Sequence, residues 1–100
     1  MSNTNQYPNL PQATWDCWQT HLVPYLQSQG CDHVQFSGSN SGTLSFHHSV
    51  PLSGGKFAFT YNYDQASQTL TITITDSPNV VPNSLIFSKI QDSLYTCPPQ

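Results

Sequence analysis

At 100 residues the chain is long enough for one domain with a real but modest core. Only 7% of its residues are charged, Arg and Glu are absent, and two Lys against five Asp leave a net charge of −3. That balance excludes a phosphate track for nucleic acid and a basic patch for an anionic membrane surface, because both need clustered cations.

No apolar run approaches the ~20 residues of a membrane span. Residues 1–12 have neither the basic region nor the apolar core of a secretory signal. A cytoplasmic location is therefore the default expectation, with export left open by a surface built from Ser, Thr, Asn and Gln. Three cysteines, Cys17, Cys31 and Cys97, leave at least one thiol unpaired within a monomer. They are too few for a disulfide-dense scaffold, although one bridge is compatible with the count.

Residues 1–10 are polar and aperiodic, and are expected to form a flexible tail ahead of a single domain over 11–100. From Pro11 to Gly30 the pattern turns helical. Trp15, Trp18, Leu22 and Leu26 recur at intervals of three and four and make one apolar stripe. Gly30 is placed as the C-terminal cap. Pro24 removes a backbone donor and crowds the preceding turn, so a kink there or an end near Leu22 is expected.

A strand around Val34–Phe36, a turn at Gly38–Gly42 and a strand over Thr43–His48 follow. After the Pro51–Gly55 loop, Phe57, Phe59, Tyr61 and Tyr63 alternate with polar residues. So do Leu70, Ile72 and Ile74 beyond the turn at Asp64–Ser67. A period of two in both runs means two strands, each with one apolar and one polar face. A four-residue loop at 64–67 pairs Tyr61 with Leu70, Phe59 with Ile72 and Phe57 with Ile74. A three-residue loop at 39–41 pairs Phe36 with Leu44 and Val34 with Phe46. The prolines over 78–82 hold the chain extended, and Asn83 or Ser84 is the expected cap of a last helix. That helix carries Ile86, Ile90, Leu94 and Cys97 on one face, with Phe87 beside them.

The predicted fold is a two-layer α+β sandwich: a four-stranded antiparallel meander with an N-terminal and a C-terminal helix on one face, in the order αββββα. The two helical stripes are the available cover for the apolar sheet face. The other face is expected to meet solvent. Phe59, Tyr61, Ile72, Trp18 and Ile90 are expected to meet in one cluster. Cys97 is expected on the buried side of the last helix and Cys17 on the solvent side of the first, as the more reactive thiol.

Chemistry-bearing constellations are few. Cys17 and His21, four apart on the first helix, with Cys31 and His33 soon after, supply two thiols and two imidazoles that suit tetrahedral zinc. Their spacing, C-x3-H-x9-C-x-H, matches no zinc-finger pattern, and the same four residues read equally as a semi-exposed helical pair plus two loop side chains. Cys17 with His21 is also a thiolate–imidazole pair lacking the surrounding signature of a cysteine hydrolase. His47 and His48 alternate to opposite sheet faces. The five Asp sit in turns or on helix surfaces, and no nucleotide-binding, hydrolase or metalloprotease motif is present. The chain is thus expected to be a non-enzymatic binding module without a cofactor. The expected partner is a protein, docked on the neutral sheet face at Thr60, Asn62, Thr71 and Thr73 with His47 beside them, or on the strand loops. The alternatives are the zinc- or thiol-dependent protein and a glycan binder. Thr69, Thr71, Thr73 and Thr75 form a row that resembles the flat hydroxyl arrays of ice-binding proteins over one strand. Thr also favours β structure for its own sake.

Overall fold

The computed structural model describes residues 3–48, 55–78 and 81–95. Strand β1 (Thr4–Tyr7) leads into helix α1 (Gln12–Ser28). Strands β2 (Cys31–Gly38), β3 (Ser41–His48), β4 (Gly55–Asp64) and β5 (Thr69–Asp76) follow, and helix α2 (Asn83–Leu94) closes the described chain. The strands form one antiparallel sheet in the order β1-β5-β4-β3-β2. The α+β class and the β2–β5 meander agree with the sequence pattern.

The fifth strand corrects the expected tail. Residues Thr4–Tyr7 pair with β5, from Thr4 opposite Thr73 to Tyr7 opposite Leu70. Four residues are too short for alternation to stand out from a polar background. The anchor is tertiary: Tyr7 is 2% exposed and its phenol donates to the Phe87 carbonyl of α2 at 3.0 Å. Leu10 is fully buried just beyond, and its N–H donates to Gln68 O at 2.9 Å.

Helix α1 also runs further than expected. It passes through Pro24 to Ser28 rather than stopping near Leu22. The carbonyl left without its helical donor belongs to Thr20, an exposed residue, so water can take the place of the lost bond. Gln29 is the C-cap, and Gly30 turns the chain into β2 at φ +87°, a conformation that a side chain disfavours. Helix α2 begins after Pro82, which offers no side-chain cap, so neither Asn83 nor Ser84 is the capping residue. Its last helical residue is Leu94, and the expected position of Cys97 lies outside the described residues.

The β4–β5 register is shifted by two from the expectation. The loop is Gln65–Gln68, not Asp64–Ser67, because Asp64 pairs with Thr69. The Asp64 carboxylate accepts from Ala66 N–H at 2.9 Å, and Gln68 adopts φ +52°. A shift of two keeps parity, so the pairs become Tyr63–Leu70, Tyr61–Ile72 and Phe59–Ile74, all still apolar. Phe36 faces Leu44 as expected. Val34 does not pair with Phe46, because a bulge between Asp32 and Gln35 sets two residues against one there, with His33 at φ +52°.

The core lies between the inner sheet face and the two helices. Trp15, Trp18 and Leu22 of α1 and Ile86 and Leu94 of α2 pack with Phe57, Phe59, Tyr61, Tyr63, Leu70, Ile72 and Ile74. Of the five residues expected to cluster, Trp18, Phe59, Tyr61 and Ile72 are buried, and Ile90 packs against them half-buried.

Candidate ligand-binding cavity

The two layers do not close uniformly. The aromatic packing around Trp15 is dense. Trp15 stacks on Trp18 at 5.4 Å and on Tyr63 at 5.7 Å, and meets Tyr61 edge-on at 5.4 Å. Tyr61 in turn stacks on Phe36 at 5.2 Å. Trp18 Nε1–H donates to Ser93 Oγ at 3.2 Å, which ties the middle of α1 to the end of α2. Trp15 Nε1 is buried with no hydrogen-bond partner among the described residues. Such an orphan costs about 1–3 kcal/mol, a cost the surrounding ring packing must offset.

Between sheet and helices a cavity of about 310 Å³ remains, partly open to solvent, and Trp15, Trp18, Tyr61 and Phe36 of this cluster line it. Its floor is a second aromatic group: Phe46 stacks on Phe57 at 5.3 Å and leans on Phe59 at 6.0 Å. Its walls are the C-terminal half of α1 (Leu22, Tyr25, Leu26) and the N-terminal half of α2 (Leu85, Ile86, Ile90). The exposed lining residues Gln29, Leu85 and Lys89 mark the mouth. Leu85, 47% exposed, is one of two large hydrophobic residues left in solvent among the described residues.

Polar groups are sparse on this wall. His48 Nε2 lies 3.2 Å from Gln29 O; a carbonyl only accepts, so this nitrogen carries the proton. Ser93 is engaged with Trp18, and Cys31 is a free, buried thiol. Burial, and then the neighbouring Asp32 carboxylate, push the Cys31 thiol above its ordinary range, so it is held as the unreactive neutral form. The arrangement can hold an apolar body against aromatic faces. Cys31 and His48, register partners across β2 and β3, both line the cavity.

The zinc candidates are not brought together. Cys17 is disulfide-bonded, which removes it both as a thiolate ligand and as the expected first-reacting thiol. Cys31 faces the cavity, His21 is exposed on α1, and His33 sits at the β2 bulge. His33 Nδ1 is 3.3 Å from Asp32 Oδ1, and its ring meets His47 edge-on at 5.2 Å. Among the described residues, no group of three or more His, Cys, Asp or Glu is placed to hold a metal ion.

The polar-face candidates are partly gathered. Thr60 pairs with Thr73 and Asn62 with Thr71. With Thr43 opposite Thr60 and Thr4 opposite Thr73, a hydroxyl rung crosses the sheet, closed by Thr4 Oγ1 to Thr73 Oγ1 at 3.0 Å and Ser37 Oγ to Thr43 Oγ1 at 2.9 Å. His47 is apart from them: it pairs with Lys56, four residues along β3 from Thr43. The β5 threonines do not form an edge row, because β1 covers Thr71 and Thr73 to half-burial. Most of the Pro51–Gly55 loop lies outside the described residues.

The cavity itself was not foreseen from sequence. Alternation and helical stripes say which side chains face inward, but not whether the inward volumes fill the space. The one available signal was the excess of large aromatic residues on one face, which leaves gaps that flexible aliphatic chains would fill. Comparison with protein-family models, curated proteins and solved structures found no match, so function is read from this chain's own geometry.

Proposed function

We propose that the protein is a non-catalytic binder of a small apolar molecule, held between the sheet and the two helices. The observation that carries this is the aromatic-walled cavity of about 310 Å³. Ligand sites are typically concave, mostly apolar and upward of about 300 Å³. An apolar cavity of about 150 Å³ is enough for benzene, so this one suits a body on the order of a dozen heavy atoms. The disulfide at Cys17 supports an oxidising, exported setting for such a binder, against the cytoplasmic default.

The test is a titration with N-phenyl-1-naphthylamine, a neutral apolar dye that brightens out of water. The wild-type protein should bind it saturably and quench its own Trp15 and Trp18 emission. Ile90→Trp, which fills the cavity wall from a half-buried position, should weaken binding at least tenfold with the circular dichroism preserved. A wild-type protein that fails to bind the dye would overturn the reading.

The hydroxyl rung favours a second reading, a protein partner docked on the neutral sheet face at Thr60, Asn62, Thr71 and Thr73. Replacing Thr60, Thr71 and Thr73 with Lys should abolish such an association while leaving dye binding intact. The chain has little charge to steer encounters, so that association should proceed at roughly 10⁵–10⁶ M⁻¹s⁻¹ and depend weakly on salt.

A further inference from the structure

We infer that the molecule taken up by the cavity is an amphiphilic monoanion: an apolar body with one carboxylate, its head held at Lys89. The inference rests on the apolar-binder reading above and concerns the head group that reading leaves unspecified.

Lys89 is the sole Lys, Arg, Asp or Glu among the residues lining the cavity. It is one of two cations in the entire sequence. A chain so poor in charge places one of its two Lys at the mouth of this apolar cavity. The Lys89 stem contributes to the wall while the residue is exposed, the geometry in which a lysine covers apolar surface and keeps its ammonium in water. Asp92, three residues further along α2, is the nearest carboxylate in sequence and does not line the cavity.

The helix that carries Lys89 adds a same-signed field. The first turn of α2 has no side-chain cap and no acidic residue, and its Leu85 and Ile86 line the same cavity. The positive end of the helix dipole therefore stands beside the mouth with no protein anion against it. Across the mouth, His48 uses Nε2 on Gln29 O, and no carboxylate of the lining opposes an anionic head. A cationic head would meet Lys89 with no carboxylate in the lining to offset it. A purely apolar ligand would leave the lysine unused.

Three probes of equal chain length separate the terms: decanoate, decanol and decylamine, each displacing the neutral dye. 2-Naphthoate against 2-naphthalenemethanol asks the same of a ring body. Decanoate should bind about two- to fivefold more tightly than decanol, the range for a charge pair at a solvent-exposed mouth, and decylamine most weakly. Lys89→Gln should equalise decanoate and decanol, and Lys89→Glu should reverse the order of decanoate and decylamine. Because the Lys89 stem contributes to the wall, each variant is read by its ratio of decanoate to decanol affinity rather than by dye affinity, and the unfolding midpoint should stay unchanged, since Lys89 is exposed. Equal binding of decanoate and decanol by the wild type overturns the anionic head while leaving the cavity reading intact. Dye binding without displacement by any of the probes overturns the amphiphile. No dye binding at all overturns the cavity reading instead.

Discussion

The tyrosines do more than fill space. Tyr7, Tyr61 and Tyr63 donate their phenols to the backbone carbonyls of Phe87, Ser37 and Leu10, at 3.0, 2.6 and 2.5 Å. Each bond joins elements distant in sequence and needs the phenol protonated. Tyr63→Phe should cost about 1–2 kcal/mol, because it strands the Leu10 carbonyl in a buried place; a denaturant titration checks this. The apolar positions of one strand should also differ among themselves. Leu70 is fully buried and does not line the cavity, whereas Ile72 lies on the cavity wall. Large-to-small changes in cores cost about 2–5 kcal/mol. Leu70→Ala should fall in the upper part of that range, Ile72→Ala in the lower part, and Thr71→Ala below about 1 kcal/mol. Equal losses for Ile72→Ala and Thr71→Ala would contradict the face assignment.

Among the elements, β1 and α1 decide how the layers are held. Strand β1 covers the edge of β5 and delivers Tyr7 and Leu10 to the core. Deleting residues 1–7 should lower the unfolding midpoint and expose a Thr- and Ile-bearing edge, so size-exclusion chromatography should show self-association. A monomeric deletion with an unchanged midpoint would make β1 dispensable. Helix α1 lacks a side-chain cap and contains Pro24, so its own propensity is poor. What holds it is the burial of Trp15, Trp18 and Leu22 together with the Cys17 disulfide. Reduction should therefore destabilise the protein by about 2–5 kcal/mol, read as a drop in midpoint on adding reductant, while Cys31 stays protected until unfolding.

At the scale of the whole molecule, the balance of burial shapes the response to pH. Burial raises the phenols of Tyr7, Tyr61 and Tyr63 above their ordinary value of 10.0, with the Asp16 and Asp64 carboxylates adding to the effect at Tyr63. It raises the Cys31 thiol above 9.0 as well. The folded chain therefore keeps these protons to higher pH than the unfolded chain. Above those ordinary values the unfolded state binds fewer protons, and the free energy of unfolding falls as pH rises. Stability should begin to decline near about pH 9 and fall steeply by about pH 11. Tyrosine absorbance should show the delayed ionisation directly. A protein equally stable at both extremes of that window would mean that these phenols are solvated.

The residues themselves determined the two helical stripes, the parity of four strands and hence the α+β class, because periods of two and about 3.6 are local properties of a chain. They determined equally that no cationic track exists. Tertiary structure decided the rest. Strand β1 is too short to declare itself and exists because β5 offers it an edge and α2 offers Tyr7 a carbonyl. The bulge at His33 moved Val34 out of register, and Gln68 moved the hairpin by two, both through left-handed backbone that neither residue advertises. The disulfide at Cys17 required a partner brought near in space. The cavity is the clearest case. Whether aromatic side chains from one sheet and two helices fill the volume between them depends on the separation of the layers, and that separation is a property of the folded molecule alone.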